Sequence, residues 1–338
     1  MRPFAYQRAT DASSATEALA AAAAGNDPLT EAAVQPLAGG TTLIDLMKLG
    51  VMRPSVVVDI NPLASSWSAI SADGENLRLG AMARMADVAV HPQVQRDYPL
   101  VAETLKLAAS PQLRNMASLG GNVLQRTRCT YFRDISYDNC NKRSPGSGCA
   151  ALEGVNRSHA VLGTSGQCIA AYPGDFAQAL IALDATMEIT GKSGVRNIRF
   201  SELHKAPGDT PQIETTLSPG ELISGFTIPG RWPRSVYVKV RDRQSYEFAL
   251  ASAAVALDVQ DGTVRDARVA LGGVATIPWR AREAEALLRG QQFNDDLARR
   301  VAEAAFTGAE GRKHNAFKIE LGKRVVARAL HQAAAMEV

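Results

Sequence analysis

All four cysteines of this chain, Cys129, Cys140, Cys149 and Cys168, fall in one stretch that begins just after the glycine-rich segment Ser118-Leu119-Gly120-Gly121-Asn122. Zinc ribbons take their thiolates as pairs about two to four residues apart. The gaps here are longer, and no C-x-x-C is present. Iron-sulfur clusters also need four thiolates and tolerate wider spacing. Arg126, Arg128, Arg133, Lys142 and Arg143 lie around the cysteines, where cations would offset the negative charge of a thiolate-bound cluster and raise its potential. Two other readings stay open. The cysteines could form disulfides, Cys129 with Cys140 and Cys149 with Cys168 being one of three pairings, or the charges could be ordinary solvated ones on a loop.

A second kind of chemistry belongs to glycine. In Pro36-Leu37-Ala38-Gly39-Gly40-Thr41-Thr42-Leu43, two residues without Cβ precede two hydroxyl residues at an expected strand-to-helix turn. Such a turn lets a pyrophosphate approach backbone N–H groups; its bland alternative is a tight turn with a threonine N-cap. The segment fits neither G-x-G-x-x-G nor the Walker pattern. Ser118 to Asn122 repeats the chemistry, and two glycine loops gripping one long dinucleotide favour FAD over a mononucleotide. Neither loop holds a histidine or cysteine for covalent flavin attachment. His91, His159, His204, His314 and His331 are scattered without metal spacing and read as surface or structural residues. Trp67, Trp232 and Trp279 read as core or interface residues.

These segments need a frame. Ser13 to Ala24 is helical in pattern, Gln35 to Leu37 a short strand, Thr42 to Leu49 a helix closed by Gly50, and Ser55 to Ile60 a β-branched strand; together they make a β-α-β unit. Leu77 to Ala81 is an expected strand, followed by helices Met85 to Val90 and Leu100 to Ala109 and then the Ser118 loop. Residues 125–172 lack periodicity and read as a functional insertion. Phe176 to Leu183 resumes as helix and Thr186 to Thr190 as strand. After Pro229 come strands Val236 to Val240, Ala249 to Leu257 and Arg268 to Leu271, then helices Pro278 to Leu288, Leu297 to Ala305 and Phe317 to Ala335. The class is α+β, and no internal repeat is present.

Length and composition fit this frame. The chain has 338 residues, 46% hydrophobic and 21% charged, with a net charge of +3, enough for two or three packed domains. No basic block supports nucleic-acid binding. The run Ala20 to Ala24 follows Glu17 and stops at Gly25, which makes an alanine-rich helix rather than a signal peptide or a membrane span.

The loops Leu37-Ala38-Gly39-Gly40-Thr41-Thr42 and Ala117-Ser118-Leu119-Gly120-Gly121-Asn122 resemble the two FAD motifs of the flavoprotein subunits of the xanthine oxidase family of molybdenum hydroxylases. The likeness continues through Lys239-Val240-Arg241-Asp242-Arg243 and Leu271-Gly272-Gly273-Val274-Ala275 and covers essentially the whole chain. Most members lack the cysteine insertion. Gln125 to Cys129, Cys140 to Arg143 and Pro145 to Ala151 are similar to the FAD subunits of three-subunit bacterial periplasmic aldehyde oxidoreductases, which carry an added 4Fe-4S cluster near the flavin.

The resemblance implies a two-part FAD-binding domain of the PCMH/vanillyl-alcohol-oxidase type at 1–225, with subdomains at about 1–62 and 63–225, and an α+β C-terminal domain of the CO dehydrogenase flavoprotein type at 226–338. It implies FAD contacts at Leu37, Ala38, Gly39, Gly40, Thr41, Thr42, Leu43, Ser118, Gly121, Asn122 and Leu124, with Asp175, Ile223 and Lys239 completing the set. Ala108 stands where some members place an aromatic beside the adenine. A 4Fe-4S cluster would be ligated by Cys129, Cys140, Cys149 and Cys168. The implied role is electron transfer, with no catalytic residue in this chain, between a small 2Fe-2S subunit and an external acceptor, while a large molybdenum-cofactor subunit oxidises the aldehyde. Export to the periplasm would rely on a signal-bearing partner, with a cytoplasmic site as the alternative. The rival reading is a non-catalytic scaffold holding structural zinc.

Overall fold

The β-branched run Val56–Asp59 becomes the middle strand of a parallel sheet, because valines suit a pleated surface covered on both sides. A computed structural model describes residues 1–20 and 29–337. Strands β1 (Ala5–Arg8), β2 (Val34–Leu37) and β3 (Val56–Asp59) form that sheet in the order β1-β3-β2. The helix Leu43–Lys48 makes the crossover between β2 and β3. Where the β-α-β pattern expects a strand at Gln35 to Leu37 and a helix from Thr42, these elements stand within a residue of the expectation.

A second, antiparallel sheet contains β4 (Ile70–Ala72), β5 (Asn76–Gly80), β6 (Thr186–Gly191), β7 (Gly194–Arg199) and β8 (Leu222–Pro229), ordered β4-β5-β8-β6-β7. The chain therefore leaves this sheet after β5, builds the helices and the cysteine region, and returns. Its third sheet contains β9 (Ser235–Val240), β10 (Ala251–Gln260), β11 (Thr263–Gly272) and β12 (Trp279–Arg280), ordered β12-β11-β10-β9.

Alternation along β10 shows how the third sheet is covered on both faces. Ala254 and Ala256 belong to the core beneath the helices Pro99–Leu107 and Phe176–Ala182, whereas Ala253, Val255 and Leu257 pack with Val325, Val326 and Ala329 of the helix Phe317–Ala334. Small side chains let both layers approach. A larger residue at Ala254 would be forced into a filled core at a cost of about 1–3 kcal/mol.

Several sequence expectations need correction. The Ser118 segment is not an open loop: Leu119–Val123 is one helical turn, and Ser118 caps it by accepting from the Gly121 N–H at 3.2 Å. The helix expected at Pro278 begins at Arg282, because Trp279 and Arg280 first pair with β11. β1, β4, β7 and β8 go beyond the expected strands; β8 holds Gly225 in its middle, which interrupts the apolar pattern. The first helix spans Ala12–Ala20, and the rest of the expected run, through Ala24 and its Gly25 stop, lies outside the described residues. Among the described residues no helix is long and apolar enough to cross a membrane.

Candidate functional site

Both glycine segments open onto one cavity of about 560 Å³. Ala38, Gly39, Gly40, Thr41, Thr42 and Leu43 line it from the first sheet, and Ser118, Gly120, Gly121 and Leu124 from the second segment. Ile223 of β8, Tyr172 and His204 also reach it. The two segments touch. A Cβ on Gly39 would lie 1.9 Å from the Met116 carbonyl oxygen, so only glycine permits this approach. Gly40 has φ +73°, the left-handed region. Asn61 donates to the Ala38 carbonyl at 3.0 Å, and Arg84 bonds both Asn61 Oδ1, at 3.1 Å, and the Met116 carbonyl. One asparagine and one arginine thus clamp the first segment to the second.

The clamp leaves donors unspent. The N–H groups of Gly39, Gly40, Thr41 and Thr42 find no acceptor among the described residues. Buried or half-buried N–H groups rarely stay unpaired, and clustered donors of this kind suit the oxygens of a pyrophosphate. The residues therefore fit a dinucleotide such as FAD. At the far end of the second segment, Tyr172 Oη and His204 Nε2 both bond the Val123 carbonyl, at 2.9 and 3.0 Å. A carbonyl only accepts, so Nε2 of His204 carries its proton. Burial lowers the His204 pKa to about 4, and the neutral ring packs edge-on against Tyr172 and Phe200.

The cysteine region is folded rather than loose. Thr130–Arg133 is a helical turn, and Cys140 and Cys149 face one another across an antiparallel bridge. All four cysteines are free thiols, so the disulfide reading fails: the chain brings them around one small void without joining them in pairs. Cys129, Cys140 and Cys168 are buried with Phe132 and Ile169. Burial pushes the Cys129 thiol up to about 12 and the Cys168 thiol up to about 11. Left to themselves, such thiols are protonated and inert, whereas bound metal deprotonates them outright. Among the described residues, no three His, Cys, Asp or Glu side chains converge tightly enough to share a single ion. Four thiols around one void are nonetheless a donor set of the kind that metal sites draw on.

The cations of this region are not solvated loop charges. Arg126 Nε and Lys142 Nζ bond the two oxygens of Glu214 at 2.5 and 2.8 Å. Burial by itself would raise the Glu214 pKa; the two cations overcome it and hold the carboxyl down at about 2. Arg128 and Arg133 share Asp45, and Arg143 donates to the carbonyls of Tyr131 and Phe132. His159, expected to be a surface or structural residue, is buried with Nε2 at 3.1 Å from Cys129 Sγ.

Four expected contacts lie off the cavity wall. Leu37 packs sideways against the cysteine core, and Asn122 turns its amide to Met85 Sδ at 3.4 Å. Asp175 and Lys239 pair with each other at 2.7 Å, and Lys239 Nζ also donates to the Leu107 carbonyl at 3.0 Å. Their charges pair inside the protein, on the seam between the helix that Asp175 precedes and β9. Ala108 is buried. Glu214, Tyr172 and His204 escape a sequence reading as site residues. No local motif marks them, and Glu214 lies 88 residues from Arg126.

A sheet-and-helix frame whose two glycine segments meet over one cavity defines a flavoprotein of the molybdenum hydroxylase type. Residues 2–231 match the FAD binding domain in molybdopterin dehydrogenase, and residues 236–333 match the CO dehydrogenase flavoprotein C-terminal domain. The chain is 44% identical over 337 residues to the aldehyde oxidoreductase FAD-binding subunit PaoB of Escherichia coli K12, covering 99% of both chains. It is 27% identical over 300 residues to the glyceraldehyde dehydrogenase medium chain of Sulfolobus acidocaldarius, covering 88% of this chain and 85% of that one. Among solved structures, carbon monoxide dehydrogenase from Hydrogenophaga pseudoflava lacking the Mo-pyranopterin moiety superposes with a TM-score of 0.76 at 25% identity, covering 99% and 98% of the two chains. The chain belongs to the FAD-binding medium subunits of the xanthine oxidase/CO dehydrogenase family.

Proposed function

We propose that this chain is the electron-transfer subunit of a heterotrimeric aldehyde oxidoreductase. A large molybdenum-cofactor subunit oxidises the aldehyde, a small 2Fe-2S subunit relays electrons to this chain, and an external acceptor removes them. FAD suits this position because it takes electrons singly and releases them in pairs. The observation that carries the reading is the convergence of two glycine segments, with unspent N–H donors, beside four free thiols around one void. Ala38 to Leu43, Ser118, Gly121, Leu124 and Ile223 hold the FAD, noncovalently. Cys129, Cys140, Cys149 and Cys168 hold a 4Fe-4S cluster, and no residue of this chain touches the aldehyde. The likeness to the PaoB subunit, at 44% identity over essentially the full length, supports an aldehyde as the substrate class. The compartment we propose is the periplasm, reached by export with a signal-bearing partner.

Anaerobic purification with iron, acid-labile sulfide and flavin assays tests both cofactors. The expected result is about four iron and four sulfide per chain by cluster stoichiometry, with FAD released by acid precipitation. Each Cys→Ser variant should lose iron while keeping much of its FAD. Stoichiometric zinc without sulfide would favour the scaffold reading. Aldehyde reduction of the flavin in the chain purified without partners would make it a self-sufficient dehydrogenase.

A further inference from the structure

The flavin cavity and the thiol-lined void share a wall. Lys142 lines both. Its ammonium donates to Glu214 Oε1 and to the Pro211 carbonyl, at 2.8 and 3.0 Å. Arg126 reaches the other Glu214 oxygen and lies with its guanidinium carbon 4.7 Å from the ring centre of Phe132, which borders the thiols, while Arg126 and Glu214 both line the flavin side. The side chains of Arg126, Lys142 and Glu214 are only 6%, 12% and 16% exposed. Two cations against one anion leave one positive charge with little water to screen it. Nη1 and Nη2 of Arg126 are buried and have no acceptor among the described residues, a costly arrangement unless negative charge gathers nearby.

We propose that the Arg126–Glu214–Lys142 triad is a shared electrostatic wall that couples the two redox sites, its net positive charge stabilising added electrons on either side. The inference rests on the reading that both cofactors bind. A charge between two sites acts on both through Coulomb's law, and low local dielectric lengthens its reach. Other cations of this region are tied elsewhere: Arg128 and Arg133 share Asp45, and Arg143 donates to backbone carbonyls. One substitution in the triad therefore moves the midpoint potentials of flavin and cluster together, and the sign follows the charge change.

The test is a redox titration of the purified complex, following flavin absorbance and the electron paramagnetic resonance of the cluster, with iron and FAD contents measured on every sample. Lys142→Met takes the triad from +1 to 0 and should lower both potentials, by about tenfold in the one-electron equilibrium, or about 59 mV. Glu214→Gln takes it to +2 and should raise both. Lys142→Arg should keep wild-type values, as should Arg299→Met on the exposed face of the C-terminal region. A purely structural role cannot give shifts of opposite sign from the two variants. Shifts confined to one cofactor, shifts of the same sign, or none at all would overturn the inference. Where Glu214→Gln does not load its cofactors, Arg126→Gln against Lys142→Met decides, since both remove one cation and must lower both potentials. Wild-type protein lacking iron and sulfide would instead defeat the cofactor reading itself.

Discussion

Asp175 Oδ2 accepts a hydrogen bond from Lys239 Nζ at 2.7 Å, with the two side chains 4% and 1% exposed. Asp175 Oδ1 accepts from Tyr237 Oη at 2.6 Å, and Tyr237 in turn reaches Ser252. This small network ties the start of the helix Phe176–Ala182 to β9 and β10, the place where the two halves of the chain meet. Family likeness implies flavin contacts for its two ionic members, yet their polar atoms are occupied by one another.

Removing one member should therefore cost stability rather than shift the flavin. Lys239→Ala strands a buried carboxylate, which typically costs about 3–5 kcal/mol. Adding Asp175→Asn should recover part of the loss, because the remaining partner no longer carries charge. Chemical unfolding of the single and double variants checks this; a loss under about 1 kcal/mol would mean the pair is far better solvated than its burial implies.

Gly39 sets the distance between the two glycine segments. Gly39→Ala would drive a Cβ into the Met116 carbonyl oxygen, and neither backbone can retreat while Asn61 and Arg84 clamp them. The variant should bind FAD at least about tenfold more weakly, a loss of about 1.4 kcal/mol, and lose thermal stability as well. Flavin content after gel filtration and a titration with added FAD measure the effect. Wild-type affinity would remove Gly39 from the pyrophosphate cradle.

Much of this was legible in the sequence because it is local. The β-branched run of β3, the Gly-Gly-Thr-Thr turn and the amphipathic C-terminal helix each announce themselves within a few residues. The cysteines announce themselves by chemistry, since only four exist and all lie close together. What stayed hidden depends on long-range closure. β8 pairs with β5 across the whole cysteine region, and no periodicity within Leu222–Pro229 reveals a partner so distant. Glu214 is likewise an isolated acid in an irregular segment, and only folding sets it between Arg126 and Lys142. Lys239 shows another kind of distance. Likeness to a family implies a flavin contact there, whereas its partners Asp175 and Leu107, 64 and 132 residues away, are set only by folding.

His204 should make the protein sensitive to mild acid. Burial holds its folded pKa near about 4, below the ordinary value of 6.5, so the neutral ring stabilises the fold above pH 6.5. That contribution is lost as pH falls from 6.5 toward 4, because the unfolded chain takes up the proton first. The full effect is at most about 3.5 kcal/mol, since each pH unit across that window is worth about 1.4 kcal/mol. His204→Gln keeps a donor for the Val123 carbonyl but cannot titrate. Melting temperatures of wild type and variant should converge between pH 6.5 and 4, and parallel curves would count against a buried neutral ring.

Lys318 gives the alkaline arm of the pH profile. Its ammonium is fully buried at the start of the helix Phe317–Ala334, donating to the carbonyls of Ser158, His159 and Gly273, the first two at 3.3 and 3.0 Å. Among the described residues no carboxylate pairs with it. Burial lowers its pKa from 10.5 to about 7. Between pH 7 and 10.5 the unfolded chain binds the proton that the folded chain has released, so stability rises with pH in this window. Lys318→Met abolishes that slope while leaving the cysteines to titrate as before. The unfolding free energy of wild type minus variant should climb by up to about 1.4 kcal/mol for each pH step of one from about pH 7.5 to 9.5. A flat difference would show that the three carbonyls keep the ammonium charged, and the buried amine would then be a permanent cation at the base of the cysteine region.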